Sequence, residues 1–204
     1  TTSLYYSKFD RDWWRQASNS QDGQCAALNP SRLAGVAVNP DACNSTQGRL
    51  RSYETWGIEP RLTVAHSLGE FQAGVRAHFE EQDRRQINGT SPTARTGTLV
   101  ESNLRKTSAY SGFIANRFDI GSFSVTPIAR YESIRAERTN RLTGQTGESS
   151  VHAFTPGIGA TWNPMRTLTV FTSLHKGFSP PRVEDLIGGT GTVTDVDYEK
   201  SLNF

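Results

Sequence analysis

Residues 71–85, FQAGVRAHFEEQDRR, change character at every step. Phe71, Ala73, Val75, Ala77 and Phe79 share one parity; Gln72, Gly74, Arg76, His78, Glu80, Gln82 and Arg84 share the other. Successive side chains of a β-strand point to opposite faces, whereas a helix would spread this pattern around its circumference. The stretch is therefore a two-faced strand, apolar on one side and charged on the other. Two environments satisfy such a strand. If the apolar face packs on a second sheet, the protein is a soluble sandwich. If that face meets lipid, the charged face lines a lumen.

The alternation recurs. Trp56, Ile58, Pro60, Leu62 and Val64 oppose Glu59, Arg61 and Thr63. Phe123, Val125, Pro127, Ala129 and Tyr131 oppose Ser124, Thr126, Arg130 and Glu132. Phe154, Pro156, Ile158, Ala160 and Trp162 oppose Thr155, Gly157, Gly159 and Thr161. The segments LYYSKFDRDWW, LRKTSAYSGFIANRF and TLTVFTSLHKGF also read as strands, without a clean parity. No segment carries a helical period. Hydrophobic residues make up 35% of the 204, low for a packed soluble core of this size. With 18 glycines and 10% aromatics, the composition suits a sheet with one watery and one apolar face. Lys and Arg number 22 against 20 Asp and Glu, so no cationic excess points to nucleic acid. No apolar run approaches the ~20 residues of a membrane helix.

The connections separate the two environments. Short links, SLGE (67–70), DIGS (119–122) and NPMR (163–166), alternate with long ones at about 16–48, 86–103, 139–150 and 179–197. Short turns at one end of a sheet and long loops at the other are the pattern of a transmembrane β-barrel. The strands run to about 12–17 residues, against a usual ~5–6 in globular sheets. The expected fold is all-β: an internal part of a large antiparallel transmembrane β-barrel, with about seven long strands plus a stub. Inward charges such as Arg61, Arg76, Glu80, Arg130 and Glu132 call for a wide lumen. Both ends read as strand, so residues 1–204 are expected to be a fragment of the barrel domain. Trp56, Phe71, Phe118, Phe123, Trp162 and Phe178 would supply interfacial girdles. Pro60, Pro127 and Pro156 fall mid-strand, where each removes a ladder donor, and are read as local defects at bends.

Cys25 and Cys43 share one polar stretch. The first reading is a disulfide staple closing a loop, a stabilisation of about 3 kcal/mol in the chain-entropy model; the alternative is two unrelated thiols. No CxxC or nearby His supports a metal site. IGGTGTV (187–193) opens no helix and so reads as a flexible loop rather than a phosphate cradle. Asp195, Asp197 and Glu199 lack the glycine and terminal glutamate of a calcium loop. His66, His78, His152 and His175 are scattered, with His66 and His152 on the apolar parity. No G-x-S-x-G elbow is present, and no catalytic constellation emerges: not an enzyme, with no catalytic residue and no cofactor.

By the parity of Glu59 and Arg61, Arg49 and Arg51 face inward at the loop end. So do Arg84 and Arg138. Guanidinium forks bind carboxylates bidentately, and a cationic funnel concentrates anions. Arg51, Arg84 and Arg138 are thus candidate ligand-binding residues. The competing reading pairs these arginines with Glu80, Glu81, Glu137 and Glu148 in a solvated network.

HKGFSPPRVEDLIGGTGTVTDVDYEKSLNF resembles the GF-x-PPR-x-ED … E-x-S-x-N signature of TonB-dependent outer-membrane receptors. RDWWRQAS, the cysteine pair, GRLRSYETWGIEPRL and RYESIRAERTNRLTG resemble the ferric dicitrate receptor branch. The resemblance implies a 22-stranded barrel with an N-terminal plug, the plug lying outside residues 1–204. It also implies residence in the outer membrane of a Gram-negative bacterium, with surrounding lipid. The function implied is import of a ferric chelate, ferric citrate or a similar siderophore, driven through the TonB–ExbB–ExbD system, with iron present only within the cargo. The alternative is a soluble, lectin-like binding sandwich.

Overall fold

The computed structural model describes residues 1–16, 29–37, 46–91, 93–180, 182–183, 187–188, 191–194 and 199–203. Eight strands lie side by side in chain order: β1 (Thr2–Gln16), β2 (Thr46–His66), β3 (Gly69–Gly89), β4 (Thr98–Ile120), β5 (Phe123–Asn140), β6 (Thr146–Met165), β7 (Leu168–Ser179) and β8 (Glu199–Asn203). Every adjacent pair is antiparallel. β8 is the expected stub. A helix, α1 (Asn29–Leu33), lies in the first long connection. At five residues it is too short to carry a readable period.

The strands are longer than the apolar alternation suggests. β2 and β3 have 21 residues each and β4 has 23. Hydrophobic alternation stops where both faces meet water, but the ladder continues, so the sequence pattern underestimates the loop-end extension. The connection expected at 139–150 accordingly shrinks to residues 141–145. It is a hairpin closed by Asn140 N–H donating to the Gln145 carbonyl and Gly144 N–H to the Asn140 carbonyl, both at 2.8 Å. At the other end the turns are two residues long, 67–68, 121–122 and 166–167. Gly121 takes φ 62° there, a left-handed conformation that other residues adopt at a cost.

Each mid-strand proline coincides with a gap in one ladder. The β2–β3 register passes from Ile58↔Ala77 to Arg61↔Gly74, leaving out Pro60. The β4–β5 register passes from Ala115↔Ile128 to Phe118↔Val125, leaving out Pro127. Pro156 pairs with β5 through Ala129, while the β6–β7 ladder begins only at Gly157. The missing N–H of proline accounts for each one-sided break.

The sheet has no second layer among the described residues. Leu62 is 57% exposed, Val75 59% and Ile158 48%, whereas a sandwich would bury them ~10 Å from a facing sheet. The apolar face is an outer surface, and the lectin-like sandwich does not fit. This face also carries aromatic pairs eight residues apart on four consecutive strands: Phe71 and Phe79, Tyr110 and Phe118, Phe123 and Tyr131, Phe154 and Trp162. Phe123 stacks on Trp162 at 5.6 Å, and Trp56 on Phe79 at 4.1 Å. The two rows are spaced as the girdles of a transmembrane barrel would be, about 20 Å apart once a strand rise of ~3.3 Å and a tilt of ~40° are applied.

The buried hydrophobic side chains, Ala136, Val151, Ala153 and Ile187, gather instead on the polar face. Ala136, Val151 and Ile187 form one cluster, and Phe178 packs against it. Phe178 is therefore not a girdle residue: the β6–β7 ladder ends at Gly157↔His175, and the chain beyond it turns over the polar face. The glycine-rich stretch is anchored there too. Ile187 is 0% exposed, bridges to Val193 and receives Arg138 Nη1 on its carbonyl at 3.0 Å. Gly147 lies beneath it, where a Cβ would meet the Ile187 side chain at 2.5 Å. Residues 187–188 and 191–193 thus strap the wall rather than swing free.

Candidate functional site

Antiparallel register propagates the parity of β3 across the sheet and gathers arginines at the loop end of the polar face. One row runs Arg11, Arg51, Arg84 and Asn103. The next row toward the turn end runs Phe9, Tyr53, Gln82, Arg105 and Arg138. Arg15 and Arg49 stand on the same parity nearer the loops. Glu101, opposite Gln86, is the one carboxylate sharing this region of β1 to β6. Arg11↔Arg51, Arg51↔Arg84 and Arg105↔Arg138 are directly opposed like charges, an arrangement that destabilises a sheet.

Two of the three predicted arginines, Arg84 and Arg138, are joined through Glu101 and Asn103, and Arg51 stands in the row beside them. Arg84 Nε lies 2.7 Å from Glu101 Oε1. Asn103 Nδ2 donates to the same carboxylate at 2.9 Å, and Arg138 Nε donates to Asn103 Oδ1 at 3.3 Å. Arg51 is 6% exposed, and its Nη1 donates to the carbonyls of Leu50 and Arg85. Its position makes it a source of field and an organiser of the wall. Burial, and then the charge of Arg84, lower the Arg51 pKa to about 10, with Glu101 opposing. Burial, followed by Arg15 and Arg84, likewise lowers that of Arg49. Both lie on the loop-end extension, well beyond the girdle at Trp56. Three guanidiniums also surround the Trp13 ring: Arg15 at 5.5 Å, Arg11 at 5.7 Å and Arg49 at 5.9 Å.

The structure separates the arginines from most of the acids proposed to pair with them. Glu81, Glu137 and Glu148 have the opposite parity and lie on the other face, where Lys106 Nζ is 3.4 Å from Glu81 and Arg135 Nη2 is 2.5 Å from Glu148. Glu80 shares the polar face, one row below Gln82. Parity was the available signal: Glu81 alternates with Glu80 exactly as Phe79 does. Sequence reasoning missed Arg11, Arg15, Glu101, Asn103 and Arg105, because β1 and β4 lack a clean alternation. Cys25, Cys43, Asp195 and Asp197 lie outside the described residues. His66, at the turn end, hydrogen-bonds Asn116 at 3.0 Å, and His152 faces Tyr131 at 3.2 Å; both sit on the apolar parity as expected.

Residues 1–204 match the protein family described as TonB dependent receptor-like, beta-barrel. Among solved structures the fold is similar to the ferric citrate transporter FecA in its unliganded form, with a TM-score of 0.62 and 21% identity. That likeness, which at this identity is one of fold, covers 66% of this chain and 22% of the transporter.

Proposed function

Because this chain belongs to the TonB-dependent receptor β-barrel family, we propose that it forms part of the wall of an outer-membrane importer whose mouth captures an anionic ferric chelate. It is a receptor segment and not an enzyme. The observation that carries the reading is the charge imbalance at the loop end: seven arginines on β1 to β6, three pairs of them directly opposed, against Glu101. A bound polyanion would relieve that repulsion and set its carboxylates against the guanidinium forks. Citrate-type chelates suit the site because their carboxylates match the forks. The likeness in fold to a ferric citrate transporter supports the same class of cargo, and iron enters only within it. The girdled apolar face meets membrane lipid, and uptake is driven by TonB–ExbB–ExbD through the plug of the complete receptor.

Arg84 and Arg138 are the proposed ligand contacts, with Arg51 holding the field behind them. Replacing both, Arg84→Ala with Arg138→Ala, weakens ferric citrate binding to the intact receptor by about 100-fold or more, two charge-assisted hydrogen bonds at ~1.5–3 kcal/mol each. A fluorescence titration in detergent measures it; unchanged affinity rejects their role.

A further inference from the structure

Below the arginine rows the same polar face is organised differently. Glu59 and Arg61, Arg117 and Asp119, and Arg130 and Glu132 are each two residues apart on one strand, and so lie on one face. Each couple is closed as an ion pair. Arg61 Nε donates to Glu59 at 2.6 Å, Arg117 Nε to Asp119 at 3.1 Å, and Arg130 Nε to Glu132 at 2.5 Å. Arg130 Nη2 also donates to Ser111 Oγ at 3.1 Å, and Arg76 Nε to the Tyr5 hydroxyl at 3.2 Å. Glu70 and Glu80 share this stretch as well. Carboxylates therefore match or exceed guanidiniums through the lower wall, where at the mouth they are far outnumbered.

We infer that Glu59, Asp119 and Glu132 keep the shaft from retaining anions: each neutralises the arginine beside it, so a chelate released from the mouth meets no second cationic station. An anion held by arginines at two levels would have to escape twice. Where carboxylates balance the guanidiniums in number along the wall, an incoming anion meets no net field. The room for such a station exists. A cavity of about 320 Å³ lies among Arg76, His78, Ser111, Arg130 and Glu132, with Phe178 and Pro180 beside it. Glu132 is the one carboxylate in the lining of that cavity, facing Arg76 and Arg130. The inference rests on the proposed capture at the mouth and concerns the step after it.

The test uses the intact receptor carrying Glu59→Gln and Glu132→Gln, with heat-modifiable migration confirming that the barrel is folded. Calorimetric titration with ferric citrate, and separately with iron-free citrate, reads the number of sites. Energised uptake reads passage. The expected variant gains a second anion site, and its maximal uptake falls by about threefold or more while half-saturation is held, in line with field focusing by unpaired cations in a cleft. A charge-swapped receptor, Arg130→Glu with Glu132→Arg, keeps the wall neutral and behaves as the parent does. One site and parental uptake in the glutamine variant would overturn the inference. A parent that binds no ferric citrate, alongside a variant that still gains a citrate site, would reject the proposed cargo and leave the role of these acids standing.

Discussion

At the height of the arginine rows the two faces of the sheet both oppose like charges, yet they resolve them differently. On the outer face Glu54 stands opposite Glu81 and Glu137 opposite Glu148. Lys106 reaches Glu81, Arg135 reaches Glu148, and the Tyr6 hydroxyl donates to Glu54 at 3.0 Å. That face neutralises itself with local cations. The polar face collects cations instead and supplies Glu101 alone at that level. The difference shows that the imbalance is not a by-product of a charge-rich rim. It is confined to one parity of the same strands, the parity a ligand in the lumen would meet.

Three measurements sharpen or break this contrast. The largest effect is expected from Glu101→Gln, which removes the carboxylate filling the fork of Arg84. Ferric citrate should bind about tenfold more tightly or better, from the ~1.5 kcal/mol lower end of one charge-assisted contact; weaker binding in a titration would mean that Glu101 positions Arg84 rather than competing for it. A smaller effect should appear with alkaline pH. The Arg51 guanidinium has its pKa lowered to about 10, so it remains charged at pH 7 and loses its proton as pH rises through that value. Affinity should be flat from pH 7 to 9 and fall several-fold above about 10, the sign expected when a group favouring the bound anion deprotonates. An Arg51→Gln receptor that keeps the same alkaline fall would exclude Arg51 as the source, because glutamine has no proton to lose in that range. The smallest effect, less than about twofold, is expected from Lys106→Ala with Arg135→Ala, because exposed pairs contribute little and these cations lie on the far side of the wall. A large loss of affinity there would dissolve the distinction between the faces.

The sequence carried the parity of β2, β3, β5 and β6 because their middles alternate between apolar and polar residues. It therefore placed Arg51 and Arg84 on one face, and their juxtaposition follows from register. It did not carry the loop-end halves of the strands. There Ser102, Asn103 and Arg105 of β4 are polar on both parities, and no hydrophobic period distinguishes a strand from a loop. Residues 139–150 look like a loop for the same reason, while the ladder needs only the five residues after Asn140 to turn. The inner cluster was illegible for another reason. Ile187 meets Ala136 and Val151 only because the chain beyond β7 folds back on the sheet, contacts between residues 51 and 36 positions apart.

The paired aromatics of β3 to β6 act as a ruler. In the bilayer proposed for it, their constant eight-residue interval would match a hydrocarbon slab of about 20 Å, and a membrane with longer acyl chains would have to pinch down around this wall, at a cost of fractions of a kcal/mol per Å of mismatch. It would also set where the proposed cargo is met: with Trp56 and Phe79 at the upper boundary, Arg51 and Arg84, five residues farther along their strands, would stand clear of the lipid and within reach of the medium.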